Sequence, residues 1–383
     1  MVEAIAHLQG AAVPASIFET DVLPARVRGY RPADLDALAA SGDLVWMGAG
    51  ALGADDGRVT VCFREQARAL LAGRGAPGDD RPDRAIHAAI REHLAERGAS
   101  FWPDLVAVTG TADERMLLHA LWDLVWAGEV TNDTFAPLRS LVRGGSARVR
   151  ASAPGRRPRP GALRRAGPAA GAGRWSSTAS LLEPAASPTE IAHARALQLL
   201  DRHGVVTREA TLAEGVPGGY AGVYPVLRAM EEAGTVRRGY FVAGLGAAQF
   251  AMPGAVDRLR ATREPGEEPV LVLAAADPAQ PYGAALPWPA DAPGRPARAA
   301  GAYVVLVDGA LAAFLERGAR SLTTFGVAPS SWADGLASLV KDGRLRRIEL
   351  VRIDGEHSAA SPHAQRLRDA GFADGYRGLV LRG

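Results

Sequence analysis

The chain has few of the residues on which many enzymes depend. Among its 383 residues, Cys62 is the single cysteine and Lys341 the single lysine. One cysteine cannot form an internal disulfide, which is typical of a protein in a reducing compartment. Because Lys341 lies in no GxxxxGKS/T stretch, the sequence has no P-loop and does not predict ATP hydrolysis.

Motifs for metal binding and nucleophilic catalysis are also missing. The eight histidines and the cysteine show no CxxC, HExxH or HxxxH spacing, and no GxSxG occurs. We therefore expect no metal and no other cofactor.

Long apolar runs and a targeting signal are absent as well. No stretch approaches the roughly 18 apolar residues of a membrane span, and no basic segment followed by an apolar one begins the chain. The net charge of +2 does not by itself indicate a polyanionic partner, and 48% hydrophobic residues are enough for real cores. These features predict a cytoplasmic protein with no membrane partner and about two to four domains.

A pattern of four positions recurs along the chain. Leucine is followed three residues later by an apolar residue, four residues after that by glycine, and two after that by another apolar residue. The pattern predicts a helix with one apolar face, a glycine that ends it, and a strand that follows. The four instances are Leu35/Leu38/Gly42/Leu44, Leu121/Leu124/Gly128/Val130, Leu227/Met230/Gly234/Val236 and Leu336/Leu339/Gly343/Leu345.

A helix, a glycine stop and a hairpin strand form the second half of a winged helix-turn-helix, so the repeats predict a tandem array in an α+β chain. The fourth instance lies in β-rich sequence, where the winged-helix interpretation is weakest. The predicted segments are a winged helix at 1–72 with its first helix truncated at Met1, a linker from Gly73 to Pro82, a winged helix at 83–143, an Arg/Pro/Gly-rich flexible linker at 144–187, a winged helix at 188–263, and a β-rich, barrel-like closing domain at 269–383.

Arginines near the predicted wings are the candidate nucleic-acid contacts. Arg237 and Arg238 would offer two guanidinium groups to phosphates beside the aromatic ring of Tyr240. Nine arginines and no acidic residue lie from Arg143 to Arg174, and they form either a solvated linker or a tether that contacts phosphates by charge.

The second predicted winged helix supplies further candidates. Asn132, Arg139 and Arg143 follow its third helix and could reach backbone phosphates, although Asn132 could instead form an Asx-turn with the next two residues. Trp122 and Trp126 lie four residues apart on one helix face, and we expect them in the core rather than stacked on bases.

Two GxGxxG matches are poor phosphate cradles. Gly48 to Gly53 lies between two predicted strands, so no helix N-terminus follows it, and a wing turn accounts for it better. Gly73 to Gly78 lies in a predicted linker that contains Pro77.

One carboxylate is a candidate for catalysis. Asp277 ends an apolar predicted strand and is followed by Gln280 and Tyr282, so it could polarise a water at a sugar C1′. Asp-Pro is also an ordinary start for a turn, and this alternative stays open.

Several long stretches resemble the C-terminal region of the large helicase-related (Lhr) family of bacterial superfamily 2 helicases. They include Leu121 to Phe135, Arg174 to Ser176, Leu245 to Phe250, and Asp277 to Pro289. The resemblance covers essentially the whole chain. It implies tandem winged helices, a barrel-like module and a role in DNA repair, and it extends to winged-helix DNA glycosylases. The resemblance does not imply ATPase activity, because the motor domains are not found in this sequence. It also identifies no glycosylase residue, because no full active-site motif is found.

The leading hypothesis is therefore a DNA-binding module of an Lhr-type repair helicase. It would bind single- or double-stranded DNA, associate with the nucleoid, and act with a helicase motor half in cis or in trans; a homo-oligomer is a further expectation. The alternatives are a monofunctional DNA glycosylase for uracil or alkylated bases, with Asp277 as its catalytic carboxylate, and a winged-helix transcription regulator.

Overall fold

The computed structural model describes residues 1–74, 81–145, 167–262, 270–290, 294–326 and 331–383. They form two compact units. The N-terminal unit comprises Met1–Ser16 and Val27–Gln198, and the C-terminal unit comprises Ile17–Arg26 and Leu199–Gly383. Helices and mainly antiparallel sheets alternate in both units, which confirms the predicted α+β class.

Residues 1–203 contain nine α-helices and six strands within the described ranges. The helices are α1 Val2–Leu8, α2 Ala15–Ile17, α3 Pro32–Ala40, α4 Ala67–Leu70, α5 Ala85–Arg97, α6 Trp102–Thr109, α7 Glu114–Trp126, α8 Ala136–Ser140 and α9 Pro188–His203. The strands are β1 Val13–Pro14, β2 Leu44–Ala51, β3 Gly57–Phe63, β4 Ser100–Phe101, β5 Val130–Asn132 and β6 Arg174–Ser177.

The rest of the chain is richer in strands. Its described helices are α10 Arg208–Ala213, α11 Gly219–Glu232, α12 Pro253–Ala261, α13 Trp332–Lys341 and α14 Ala364–Asp369. Its described strands are β7 Val205–Val206, β8 Arg237–Gly239, β9 Gln249–Ala251, β10 Val270–Ala274, β11 Tyr303–Val307, β12 Ala310–Leu315, β13 Ser321–Thr324, β14 Arg347–Leu350, β15 Arg352–Ile353, β16 Glu356–His357, β17 Ala373–Gly375 and β18 Gly378–Arg382.

All four instances of the recurring pattern end a helix as predicted. Helices α3, α7, α11 and α13 each stop two residues before the glycine, and each glycine has a positive φ that a side chain would oppose. The first leucine of every instance is completely buried. The glycines and their φ values are Gly42 (+84°), Gly128 (+77°), Gly234 (+78°) and Gly343 (+73°).

Three small antiparallel sheets share one strand order. In β1-β3-β2, β4-β6-β5 and β7-β9-β8 the third strand of each set lies between the first and the second, as in a winged helix. The hairpin between the second and third strands is the wing. The predicted winged-helix architecture is therefore present in both units.

Strand β6 corrects the predicted linker at 144–187. It pairs with β4 and β5, with Asn132 opposite Trp175, and the Trp175 side chain is completely buried. The C-terminal part of that segment is therefore a structured strand of the second winged helix, because a buried indole gives it the apolar contact that its composition lacks. Residues 146–166, with seven of the nine arginines, lie outside the described residues.

The first winged helix begins with a short helix. Helix α1 buries Ile5 and Leu8 against the rest of the domain. Of the predicted linker from Gly73 to Pro82, residues 75–80 lie outside the described residues.

The closing region is built on a six-stranded sheet in the order β10-β11-β12-β13-β15-β16. Its edge strands β10 and β16 do not pair with each other in the described residues, so the sheet is open rather than a closed barrel. The dipeptide Asp308-Gly309 is typical of a tight hairpin turn, and it forms the turn between β11 and β12, where both residues have positive φ. Helix α13 lies close to this sheet at Gly335, where a Cβ atom would come within 2.5 Å of Val270 Cγ1.

A short segment near the N-terminus completes the C-terminal unit. Asp21, which is 4% exposed, accepts hydrogen bonds at 3.0 Å from Nε and Nη2 of Arg344. The guanidinium of Arg344 lies 5.1 Å from the ring centre of Tyr303, and burial together with Asp21 raises the pKa of Tyr303. A second ion pair joins Arg26 to Asp277. Residues Ile17–Arg26 are thus held by two ion pairs whose partners lie more than 250 residues away.

No helix in the described part of the chain has both the length and the apolar composition needed to cross a membrane. The same ranges contain no group of three His, Cys, Asp or Glu side chains placed to hold a metal ion.

Candidate nucleic-acid interface

The wing formed by β8 and β9 carries the sequence-predicted contacts of the third winged helix. Arg237 and Arg238 on β8 are exposed, and Tyr240, which follows the strand, is 86% exposed. Arg238 also contacts Glu231, with 3.2 Å between Nε and Oε1. Because both partners of that pair are solvated, the pair is weak and can be exchanged for a phosphate. The structure therefore brings all three predicted residues together on one exposed hairpin.

A buried glutamine fixes this wing and was not identified from the sequence. Gln249 is 0% exposed, and its Oε1 accepts hydrogen bonds at 2.8 Å from the backbone N–H groups of both Phe241 and Val242. Its Nε2 donates to the Val242 carbonyl at 2.9 Å. In the sequence, Gln249 is a polar residue between Ala248 and the buried Phe250. This position could have identified it, because a buried polar side chain needs hydrogen-bond partners.

Helix α11 lies beside the wing and presents an aromatic groove. The groove has a volume of about 590 Å³, and its lining includes Arg208, Leu212, Tyr220 and Tyr224. The Tyr220 hydroxyl donates to the Ala248 carbonyl, which ties the start of the helix to the wing. Burial raises the pKa of Tyr220 to about 12, so the hydroxyl keeps its proton for this bond at neutral pH.

The first two turns of α11 contain no side chain suited to reading base edges. From Gly219 to Pro225 the residues are glycine, alanine, valine, proline and the two tyrosines. Specific base contacts in the major groove come mainly from Arg, Lys, Asn and Gln. The arrangement therefore fits stacking and backbone contacts better than direct sequence readout.

Behind this face, an ion cluster joins the end of α9 to α10. Glu214 accepts a hydrogen bond from Arg202 and lies 2.6 Å from His203 Nε2. Burial alone would raise the pKa of Glu214, but Arg202 and His203 overcome that effect and lower it to about 2. The cluster ties together the two helices that precede α11.

This cluster predicts acid sensitivity of the third winged helix. Because the folded pKa of Glu214 is depressed, its stabilising contribution is complete above the unfolded value of about 4.5. That contribution disappears as pH falls toward 2, so the wild-type protein should lose stability in this window while Glu214→Gln, already less stable at pH 7, should lose less. Urea unfolding at a series of pH values measures both slopes, and parallel slopes would contradict the assignment.

In the second winged helix the predicted contacts are not brought together on an exposed face. Asn132 is 5% exposed, donates through Nδ2 to the Ala172 carbonyl and accepts the Thr134 N–H at 3.1 Å. It thus forms the Asx-turn that the sequence left open. Arg139 donates to both carboxylate oxygens of Asp36 at 3.0 Å, whereas Arg143 is exposed.

The two tryptophans on α7 are core residues, as predicted. Trp122 is 4% exposed and Trp126 6%, and the Trp122 ring lies edge-on to Trp175 at 5.7 Å. A Cβ on Gly57 would come within 2.4 Å of the Trp126 ring. Close packing against α7 also requires glycine within the first GxGxxG match. Gly48 lies on β2, where a Cβ atom would clash with the Val125 carbonyl. That match therefore belongs to a wing hairpin, while the second match extends into residues that are not described.

Asp277 lies in the tight turn that follows β10. Its carboxylate is 1% exposed and accepts two hydrogen bonds from Arg26, at 2.8 and 2.6 Å, and one from the Ala279 N–H at 2.8 Å. Arg298 donates to the Asp277 carbonyl, and the fully buried Gln280 satisfies the backbone of Tyr282. The sequence located the carboxylate but not Arg26, which lies 251 residues earlier.

Comparison with family profiles finds two matches. Both are described as winged-helix domains of large helicase-related protein; the third such domain matches residues 1–64 and the fourth matches residues 185–270. These ranges coincide with the first and third winged helices described above.

Two curated relatives match nearly the whole chain. A protein of Mycolicibacterium smegmatis named Lhr helicase/probable uracil glycosylase is 46% identical over 373 residues, which cover 92% of this chain and 24% of the relative. An Escherichia coli protein named Lhr helicase/uracil glycosylase is 37% identical over 400 residues, covering 98% and 26%. The chain therefore spans about a quarter of the length of the curated relatives that it matches.

The fold is also similar to a solved structure, the Streptomyces sahachiroi DNA glycosylase AlkZ. The TM-score is 0.51 at 15% sequence identity, and the similarity covers 89% of this chain and 91% of that chain. At this identity the likeness concerns the fold alone.

Proposed function

Because the chain carries two winged-helix domains of the large helicase-related (Lhr) family, we propose that it is the DNA-binding C-terminal module of an Lhr-type ATP-dependent DNA repair helicase. The exposed wing of the third winged helix is the observation that supports this most. It places Arg237, Arg238 and Tyr240 on one hairpin, which Gln249 holds from inside. Guanidinium groups bind phosphates, and a solvated tyrosine ring stacks on an unpaired base.

The proposal covers binding only. The 383 residues contain no P-loop, so ATP hydrolysis is assigned to a motor half, in cis or in trans. Of the other predicted contacts, Arg143 is proposed as an additional phosphate contact because it is exposed. Arg139 and Asn132 are proposed as supports of the second winged helix, because their polar groups already bind Asp36, Ala172 and Thr134.

Removing the two wing arginines should weaken DNA binding and its dependence on salt. Each lost phosphate contact lowers the slope of log affinity against log salt by about 0.9 for duplex and about 0.7 for single strands. Arg237→Ala/Arg238→Ala should therefore flatten the slope by about 1.8 on duplex and about 1.4 on single strands, and reduce affinity at low salt by about tenfold or more. Fluorescence anisotropy with labelled single- and double-stranded oligonucleotides over a salt series measures both quantities.

The matched control is Arg258→Ala/Arg260→Ala on α12, which removes the same charge from exposed positions of the same domain. An equal loss in the control would show that net charge, and not the wing, drives binding. Salt-independent binding by the wild-type protein would contradict the proposal itself.

A second candidate function is removal of a damaged base. The names of the two relatives and the AlkZ-like fold favour it, with uracil as the first substrate to test. In this function Asp277 is the proposed carboxylate that stabilises positive charge on the sugar. Substrate would reach it only after the Arg26 guanidinium, which is 20% exposed, moves aside.

Incubation with a uracil-containing oligonucleotide, followed by cleavage of abasic sites, tests this candidate. Absence of abasic product from the wild-type chain would exclude uracil excision by this module. Product formation that persists in Asp277→Asn would exclude the residue assignment only. Helix α11 gives no support to a sequence-specific transcription regulator, because its first two turns lack side chains that read bases. Selection of bound sites from random duplexes should therefore enrich no sequence.

A further inference from the structure

The last part of the chain repeats the winged-helix sheet a fourth time. Its sheet has the order β14-β18-β17, so the third strand again lies between the first and the second. Helix α13 precedes the first strand and α14 precedes the hairpin of the other two. Strands β15 and β16 are an insertion that joins the six-stranded sheet instead.

The position of α14 supports this correspondence. It directly precedes the β17–β18 hairpin, as α11 precedes β8 and β9. Its end also has the common glycine form seen in α7, α10 and α11, with the Phe372 N–H donating to the Leu367 carbonyl at 3.0 Å after Gly371. By its position, α14 is the counterpart of α11, and the β17–β18 hairpin is the counterpart of its wing. The fourth instance of the sequence pattern marks the first helix of this unit and not the third.

The tip of this hairpin has the same chemistry as the wing of the third winged helix. Gly375 pairs with Gly378, so Tyr376 and Arg377 alone form the turn, and Tyr376 is 100% exposed. All seven tyrosines of the chain lie in described residues, and only Tyr240 and Tyr376 are exposed. Both lie on wing hairpins beside arginine.

Charge at the tip is also suitable for a polyanion. The nearest acid on the hairpin, Asp374, is paired with Arg368 at 2.9 Å. Arg377 is exposed and adds a positive charge at the turn. A fully solvated phenol ring next to a guanidinium combines a stacking surface with a phosphate contact, and neither group discriminates between bases.

We propose that residues 332–382 form a fourth winged-helix unit whose wing tip, Tyr376–Arg377, binds single-stranded DNA. Tyr376 stacks on an unpaired base and Arg377 contacts the adjacent phosphate. This inference rests on the proposed DNA-binding function and adds a second contact to it. Single strands are favoured over duplex because base faces are open to a ring only where the bases are unpaired.

Anisotropy with a labelled oligothymidylate and with a blunt duplex tests the proposal on the full chain. Tyr376→Ala should weaken oligothymidylate binding by about tenfold, Tyr376→Phe should bind like wild type, and duplex binding should not change. Arg377→Ala should flatten the salt slope by about 0.7. The control Arg317→Ala removes one charge from the exposed β12–β13 turn, outside residues 332–382, and should have no effect.

Three results would overturn the proposal: oligothymidylate affinity of Tyr376→Ala within about twofold of wild type, an equal loss on duplex, or an equal loss with Arg317→Ala. If the wing variants at Arg237 and Arg238 lose affinity while Tyr376→Ala does not, only this inference fails. If the wild-type chain binds neither probe, the proposed function fails with it. Since Tyr376 is fully exposed, unchanged thermal unfolding of its variants confirms that the fold is intact.

Discussion

Trp175→Ala is expected to lower the free energy of unfolding of the N-terminal unit by about 3–5 kcal/mol. The indole is 0% exposed, lies edge-on to Trp122 at 5.7 Å, and donates from Nε1 to the Gly171 carbonyl at 2.9 Å. Alanine would leave a cavity at the centre of the β4-β6-β5 sheet and an unpaired carbonyl beside it.

Urea unfolding followed by circular dichroism measures this loss, and Cys62 provides a second readout in the same unit. That thiol is fully buried, and burial raises its pKa to about 12, so it should resist alkylation until the unit opens. Phe101→Ala is the control: it removes an aromatic ring from the neighbouring strand β4, but the ring is 55% exposed and the change should cost less than about 1 kcal/mol. Equal losses for the two variants would show that Trp175 does not anchor the sheet.

Breaking the Arg26–Asp277 pair should have the second largest effect. Asp277→Ala is expected to destabilise the C-terminal unit by about 2–4 kcal/mol, slightly below the usual range for a buried pair because Arg26 keeps some access to water. Arg26→Met should cost a comparable amount, since it leaves the carboxylate buried with one remaining donor. The double variant should cost less than the sum, because the two residues lose the same interaction.

A double-mutant cycle by thermal unfolding measures the coupling, and Asp257→Ala supplies the comparison. Asp257 forms an ion pair with Arg260 in the same unit, but both side chains are more than 70% exposed, so its loss should cost less than about 0.5 kcal/mol. Additive single and double variants would mean that the pair does not stabilise the unit. The uracil assay then separates stability from catalysis. Loss of product by Asp277→Asn, at temperatures where this variant stays folded, is the result that supports a catalytic carboxylate.

Local features of the fold were predictable where one short stretch determines them. The leucine-glycine pattern located four helix ends, because a left-handed glycine two residues after a helix leaves few alternatives. The core positions of Trp122 and Trp126 followed from their spacing on one helix face. The turn at Asp308 and Gly309 followed from residue types that tolerate positive φ.

Features that depend on distant residues were not predictable. Strand β6 follows an arginine-rich stretch whose composition suggests a linker, and only its pairing with β4 and β5 gives Trp175 a buried place. The hydrogen bonds of Gln249 were not predictable, because their backbone partners at Phe241 and Val242 come close to it only in the folded wing. At the candidate site, the sequence located the exposed arginines and tyrosine of the third wing, whereas the partners of Asn132, Arg139 and Asp277 are set by tertiary structure.

The place of Ile17–Arg26 in the C-terminal unit has a consequence for the order of events on the ribosome. Arg26 is made 251 residues before its partner Asp277, and Asp21 is made 323 residues before its partner Arg344. At about 5–20 residues per second, this segment waits tens of seconds before either ion pair can form. Over that interval the surrounding winged helix can fold as soon as it emerges. The C-terminal unit therefore reaches its native state only after both partners have emerged, when it captures a segment that was synthesised 251 to 323 residues earlier.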